Sequence, residues 1–132
     1  MDFEISVYFI LTGLELKPDL ITSKLGITPS KTFCTGDVIQ PHAKPRWKNN
    51  GWLLASQVNK SAELEDHINS IFSQLQPVWP QLKYLCQIYE SSLDCVIYAY
   101  NYVPSICLDK FIIQSAAELN AKIEFDIIYS EK

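Results

Sequence analysis

The sequence contains a single arginine, Arg46, among eleven basic residues, the other ten being lysines. Bidentate grip on phosphate or carboxylate depends on guanidinium forks, so recognition of a polyanion by several arginines is excluded. The net charge of −4 points the same way, because a nucleic-acid binder needs clustered positive charge. Only four glycines are present and they are scattered, so neither G-x-G-x-x-G nor G-x-x-x-x-G-K-[ST] can cradle a phosphate. The H-E-x-x-H and G-x-S-x-G motifs are missing as well, and the two histidines are 25 residues apart in sequence, at His42 and His67. The four cysteines (Cys34, Cys86, Cys95 and Cys107) show no C-x-x-C spacing, which leaves zinc and thioredoxin-like chemistry without support. They are expected as reduced, partly buried thiols, and no cofactor or metal is expected. No apolar run approaches the ~20 residues that span a bilayer. The start, Met1-Asp2-Phe3-Glu4, lacks the positive region of a signal peptide. The expectation is a soluble cytoplasmic protein that touches neither membrane nor nucleic acid.

What is present is an ordinary core-forming composition, 48% hydrophobic and 20% charged, over 132 residues, which predicts one domain spanning 1–132. Residues 3–12 alternate with period two: Phe3, Ile5, Val7, Phe9 and Leu11 share one strand face. Pro18 reads as the first residue of a short helix with Leu20, Ile21 and Leu25 inward and Gly26 as its left-handed stop. Short strands are expected at 31–34 and 51–56. Ser61 reads as the N-cap of the most secure helix, whose stripe is Leu64, Ile68, Ile71, Phe72 and Leu75. Residues 77–80, with two prolines, end it.

Residues 82–89 and 93–102 are expected to pair as a hairpin through Glu90-Ser91-Ser92. A direct two-residue turn there would bring Cys86 opposite Cys95; a three-residue loop separates them. Tyr98, Tyr100 and Tyr102 would share one face, for packing or as a homodimer contact. A helix near 108–119 points Leu108, Phe111, Ile112, Ser115 and Leu119 inward, and a last strand covers 122–129. The order is β-α-β-β-α-β-β-α-β. The predicted fold is α+β, a mostly antiparallel sheet with helices on one face, related to ferredoxin-like folds.

One segment concentrates unlike chemistries. Residues 37–52 hold Asp37, His42, Lys44, Arg46, Trp47 and Lys48, and end on Trp52. This is the densest basic cluster in an acidic protein, in a loop too long to be a plain connection. Arg and Trp dominate protein-binding hot spots, so Asp37, His42, Arg46, Trp47 and Trp52 are the candidate binding residues. Trp52 also reads as a core strand residue. His67 reads as a surface histidine at the edge of its helix stripe, four residues after Glu63. Lys122, Glu124 and Asp126 share a strand face that is expected to be solvated.

Several stretches together resemble the family catalogued as domain of unknown function 4279. They are residues 9–13, Pro18-Asp19-Leu20-Ile21, Leu25-Gly26-Ile27-Thr28-Pro29, Gly36-Asp37, Gly51-Trp52, the helix over 64–75 and residues 125–129. The resemblance covers nearly the whole chain. It implies a bacterial α+β domain of unassigned activity, with Gly26, Pro29 and Trp52 in structural roles and no catalytic residue to carry over. Two functional readings stay open. The first is a non-catalytic protein-binding module, an adaptor or a toxin-neutralising protein. The second is a small-ligand sensor or undescribed enzyme that uses a cleft beside the 37–52 loop.

Overall fold

The computed structural model describes residues 2–36 and 49–131. Five strands, β1 (Phe3–Gly13), β2 (Lys31–Phe33), β3 (Asn50–Ala55), β4 (Glu90–Tyr100) and β5 (Ala121–Ser130), form one sheet in the order β2-β3-β1-β4-β5. Three of its four neighbouring pairs are antiparallel, and β4 runs parallel to β5. Among the described residues the helices are α1 (Pro18–Leu25), α2 (Leu64–Leu75), α3 (Trp79–Ile88) and α4 (Lys110–Glu118). The protein is α+β. None of these helices is long and apolar enough to cross a membrane.

The alternation of β1 decides which side of the sheet becomes the core. Ile5, Val7, Phe9 and Leu11 are buried, and their register partners on the helix-covered side include Leu93, Cys95, Ile97 and Trp52. The α2 stripe of Leu64, Ile68, Ile71, Phe72 and Leu75 seals that face, as its helical spacing dictates. Pro18 does sit in the first turn of α1, and Gly26 takes the left-handed conformation (φ 67°) that ends it. Leu20, expected inward, is 46% exposed; only Ile21 and Leu25 of α1 are buried.

Residues 82–89 are not a strand. They belong to α3, so the sheet has five strands where the sequence suggested six, and no hairpin faces Cys86 towards Cys95. Both thiols are buried and free. The two prolines that looked like breakers sit where helices tolerate them. Pro77 lies in the first turn of a short 3-10 segment (Gln76–Val78) and Pro80 in the first turn of α3, positions whose amides have no partner to lose. Leu82, Leu85 and Cys86, buried together, are helix-spaced.

Two helix starts also move. α2 begins at Leu64 with extended Glu63 before it, and Ser61 instead bonds the Asn59 side chain through its amide (3.1 Å) and hydroxyl (3.0 Å). α4 starts after Asp109, whose carboxylate accepts from the Ile112 amide at 2.9 Å. Phe111, expected inward, is 59% exposed and meets Phe72 edge-on at 6.2 Å. The tyrosine stripe is broken, because Asn101 turns left-handed (φ 72°) and Tyr102 lies past the end of β4.

Candidate functional site

The strongest polar construction borders the segment that the sequence singles out. β1 ends in a turn, with the Leu16 amide donating to the Gly13 carbonyl at 3.3 Å, and the turn presents the carbonyls of Leu14 and Leu16. The first residue of β3, Asn50, donates from Nδ2 to both of these carbonyls, at 3.3 and 2.9 Å. Its Oδ1 accepts from the Thr35 amide at 2.7 Å and from the Thr35 hydroxyl at 3.0 Å. All four hydrogen-bonding positions of the amide are used, which also fixes the orientation of the group. One side chain thus ties the β1–α1 turn, the end of β2 and the start of β3 together. Thr35 and Asn50, which flank residues 37–48 in sequence, are thus bonded to each other.

The strands beside the clamp meet without a side chain at Gly51, because Phe33 pairs with it in register and lays its ring over the α-carbon. A Cβ at residue 51 would fall inside that ring. Trp52 points to the opposite, helix-covered side. It is fully buried, and its indole N–H donates to the Thr22 hydroxyl at 3.1 Å, so it anchors α1 on the sheet. Its role there is the core one. Outside the clamp, a groove of about 640 Å³ is lined by Leu16, Lys17, Pro18, Asp19, Leu20, Ser23, Cys34 and Asn50. Leu14, 69% exposed, and Leu20 add apolar surface around it.

A second polar cluster lies where β3 passes to α2. His67 is buried rather than at the surface, because the inward stripe of α2 is wide enough to include it beside Leu64, Ile68 and Ile71. Its Nδ1 is 2.6 Å from the Ser56 hydroxyl, while Nε2 has no hydrogen-bond partner among the described residues. Burial holds its pKa below the usual 6.5; the Asn59 backbone and the Asp66 carboxylate favour the proton but do not offset that cost. Neighbouring bonds run from the Gln57 amide to the Ser70 hydroxyl (2.9 Å) and from Gln74 Nε2 to the Ala55 carbonyl (3.2 Å). They fasten the same connection to α2. The cluster reads as a structural tie between helix and sheet.

On the face of the sheet away from the helices, Asp94 bonds Ser92, and burial raises its pKa above the ordinary carboxylate value. Lys122 and Glu124 form an exposed ion pair at 2.9 Å. Among the described residues no group of three or more His, Cys, Asp or Glu side chains could hold a metal ion.

Of the candidate binding residues, Trp52 is placed in the core, while Asp37, His42, Arg46 and Trp47 lie outside the described residues. Sequence reasoning missed the clamp. Asn49-Asn50 reads as a loop breaker, and only the offset of Asn50 beside the G-W pair hints at a structural task for it.

The profile of the family described as Domain of unknown function (DUF4279) matches residues 3–130. No curated protein and no solved structure shows a significant match to the chain. With nearly all of its length matched, the chain belongs to the domain of unknown function 4279 family.

Proposed function

We propose that this member of the family is a non-catalytic protein-binding module of the adaptor or toxin-neutralising type, acting in the bacterial cytoplasm and meeting its partner through residues 37–52. The Asn50 clamp is the observation that carries the reading. The bonds between Thr35 and Asn50 join the residues that flank positions 37–48, and binding costs less when the frame around a contact is fixed in advance. That segment bears Asp37, His42, Arg46 and Trp47, with Arg and Trp as the residue types that most often anchor an interface. Exposed Leu14 and Leu20 extend the contact with apolar area. Trp52 contributes from beneath by holding α1 in place.

The test begins with affinity capture from a host lysate by the wild-type chain, followed by titration of the identified partner. Arg46→Ala combined with Trp47→Ala is expected to weaken that partner at least about tenfold. Unchanged affinity removes the loop as the contact.

The groove supports a second reading, a small-ligand sensor or undescribed enzyme, because about 640 Å³ is within the ordinary range of small-molecule sites. A metabolite panel screened by thermal shift tests it. A ligand that stabilises the wild type but not Leu20→Trp, which fills the groove, supports this reading; a panel without any such ligand favours the protein-binding one.

A further inference from the structure

The edge of the sheet opposite the clamp is formed by β5. It pairs with β4 on one side through ten consecutive residues in unbroken one-to-one register, from Ser91↔Ala121 to Tyr100↔Ser130. Among the described residues no strand pairs with its other side. Exposed edges in monomeric proteins are blunted by proline, a bulge, short length or well-placed lysine, because a row of free amides and carbonyls templates another strand. β5 has ten residues, no proline or glycine and no bulge, and its one lysine, Lys122, stands at the beginning, paired to Glu124.

The side chains extend the anomaly. On the helix-covered side, Cys95, Ile97 and Ala99 of β4 are fully buried, yet their neighbours Phe125, Ile127 and Tyr129 are 38%, 43% and 47% exposed. On the other side Ile128 is 40% exposed. The core therefore runs out onto an apolar ledge at the free edge.

We propose that a second copy of this chain covers the ledge by antiparallel β5–β5 pairing about a twofold axis, giving a continuous ten-stranded sheet. The exposed stripe of Phe125, Ile127 and Tyr129 is self-complementary, which argues for a second copy as the occupant, and the charge pattern of β5 narrows the register. A twofold normal to the sheet pairs each residue with one of the same face, so the axis lies between the two copies of one residue. Centred on residue 124, 125 or 126, the pairing sets Glu124 against Glu124, Glu124 against Asp126, or Asp126 against Asp126, and like charges directly opposite are destabilising. Of the registers that set no carboxylate against another, the one centred on Ile127 pairs the longest stretch of β5, residues 124–130. Phe125 then faces Tyr129 of the second copy, Ile127 faces Ile127, and Ile128 faces Asp126. The exposed apolar residues are those that this register buries. The tyrosine stripe offers a less continuous surface than this edge, since Tyr100 is engaged near Glu4 and Tyr102 lies past the end of β4. The dimer uses the edge opposite the clamp, so it does not depend on the binding reading above.

Analytical ultracentrifugation of the wild-type chain is expected to show a dimer that dissociates on dilution. Ile127→Lys places two ammonium groups on the axis and is expected to raise the dissociation constant by about tenfold or more, while circular dichroism stays native. Should that variant misfold, Ile128→Glu sets a carboxylate against Asp126 of the second copy and is expected to weaken the same interface from the other face. In a Cys34→Ser, Cys107→Ser background, Ile127→Cys is expected to cross-link to itself under mild oxidation and Ile123→Cys is not. Arg46→Ala with Trp47→Ala should leave dissociation unchanged, which separates this inference from the loop. A monomer at every concentration, open-ended assembly, a dimer indifferent to both charge variants, or cross-linking at 123 in preference to 127 overturns it.

Discussion

Asn50 Oδ1 lies 2.7 Å from the Thr35 amide nitrogen, and the other end of the same side chain reaches the carbonyls of Leu14 and Leu16. Truncation therefore strands two donors and two acceptors at a partly exposed site, where water recovers some of the loss. Asn50→Ala is expected to cost about 1–2 kcal/mol in urea unfolding. Asn50→Asp keeps the acceptors for Thr35 but turns a carboxylate towards two carbonyl oxygens, so it should be the less stable of the two at neutral pH. Wild-type midpoints for both variants would show that the clamp carries no stability.

The Phe33 ring occupies the space that any side chain at residue 51 would need. Gly51→Ala must displace a ring that is only 2% exposed, an overpacking expected to cost about 1–3 kcal/mol. Shortening the neighbour restores room, so Gly51→Ala should cost less in a Phe33→Leu background than alone. A double-mutant cycle measures the coupling. Strict additivity would mean that the two residues do not compete for the space.

Protonation of His67 should favour unfolding. Its pKa is depressed in the folded protein by burial, so the unfolded chain takes up the proton first as pH falls. The stability gained from the neutral ring is fully present above the usual 6.5 and is lost as pH drops through the folded value. Asp94 works in the opposite sense at lower pH, because its raised pKa means a penalty relieved by protonation. Denaturant unfolding of wild type and His67→Gln from neutral to mildly acidic pH isolates the histidine. The wild type should lose stability faster than the variant; parallel curves would assign the acid sensitivity elsewhere.

Cys86 and Cys95 should be silent towards thiol reagents in the folded protein. Both are buried, and desolvation pushes their pKa values up to about 11 and about 12, which starves them of the reactive thiolate. Cys34 and Cys107 are exposed. An aromatic disulfide reagent is expected to titrate two thiols promptly and all four in denaturant, with mass spectrometry identifying the first pair as 34 and 107. Prompt modification at 86 or 95 would contradict the packing of α3 or β4.

Much of the architecture was legible because its causes are local. The period-two run of β1 and the helical stripe of α2 each carry their own buried face, and Pro18 and Gly26 punctuate α1 through backbone geometry alone. Residues 82–89 misled because Pro77 and Pro80 look like stops in sequence; the same prolines are harmless once a helix begins at them. His67 misled because a stripe's width is set by the surface it packs on, and the sequence supplies only its centre. The chemistry of Arg46 and Trp47 was visible by composition, whereas the bonding of the flanking Thr35 and Asn50 was not.

The amino-acid sequence by itself determined the α+β class, the buried face of β1 and of α2, and the family to which the chain belongs. Each follows from residue spacing or from an ordered set of short motifs, which need no knowledge of where the chain returns. Only the tertiary structure decided that Asn50 gathers residues 14, 16 and 35, that Trp52 meets Thr22, and that β5 lies at an unprotected edge beside β4. The reason is that these are contacts between segments distant in sequence. The residues that look exceptional, a lone arginine and its neighbouring tryptophan, flag where to look. The long-range hydrogen bonds and the order of strands decide what is held there and what is left open.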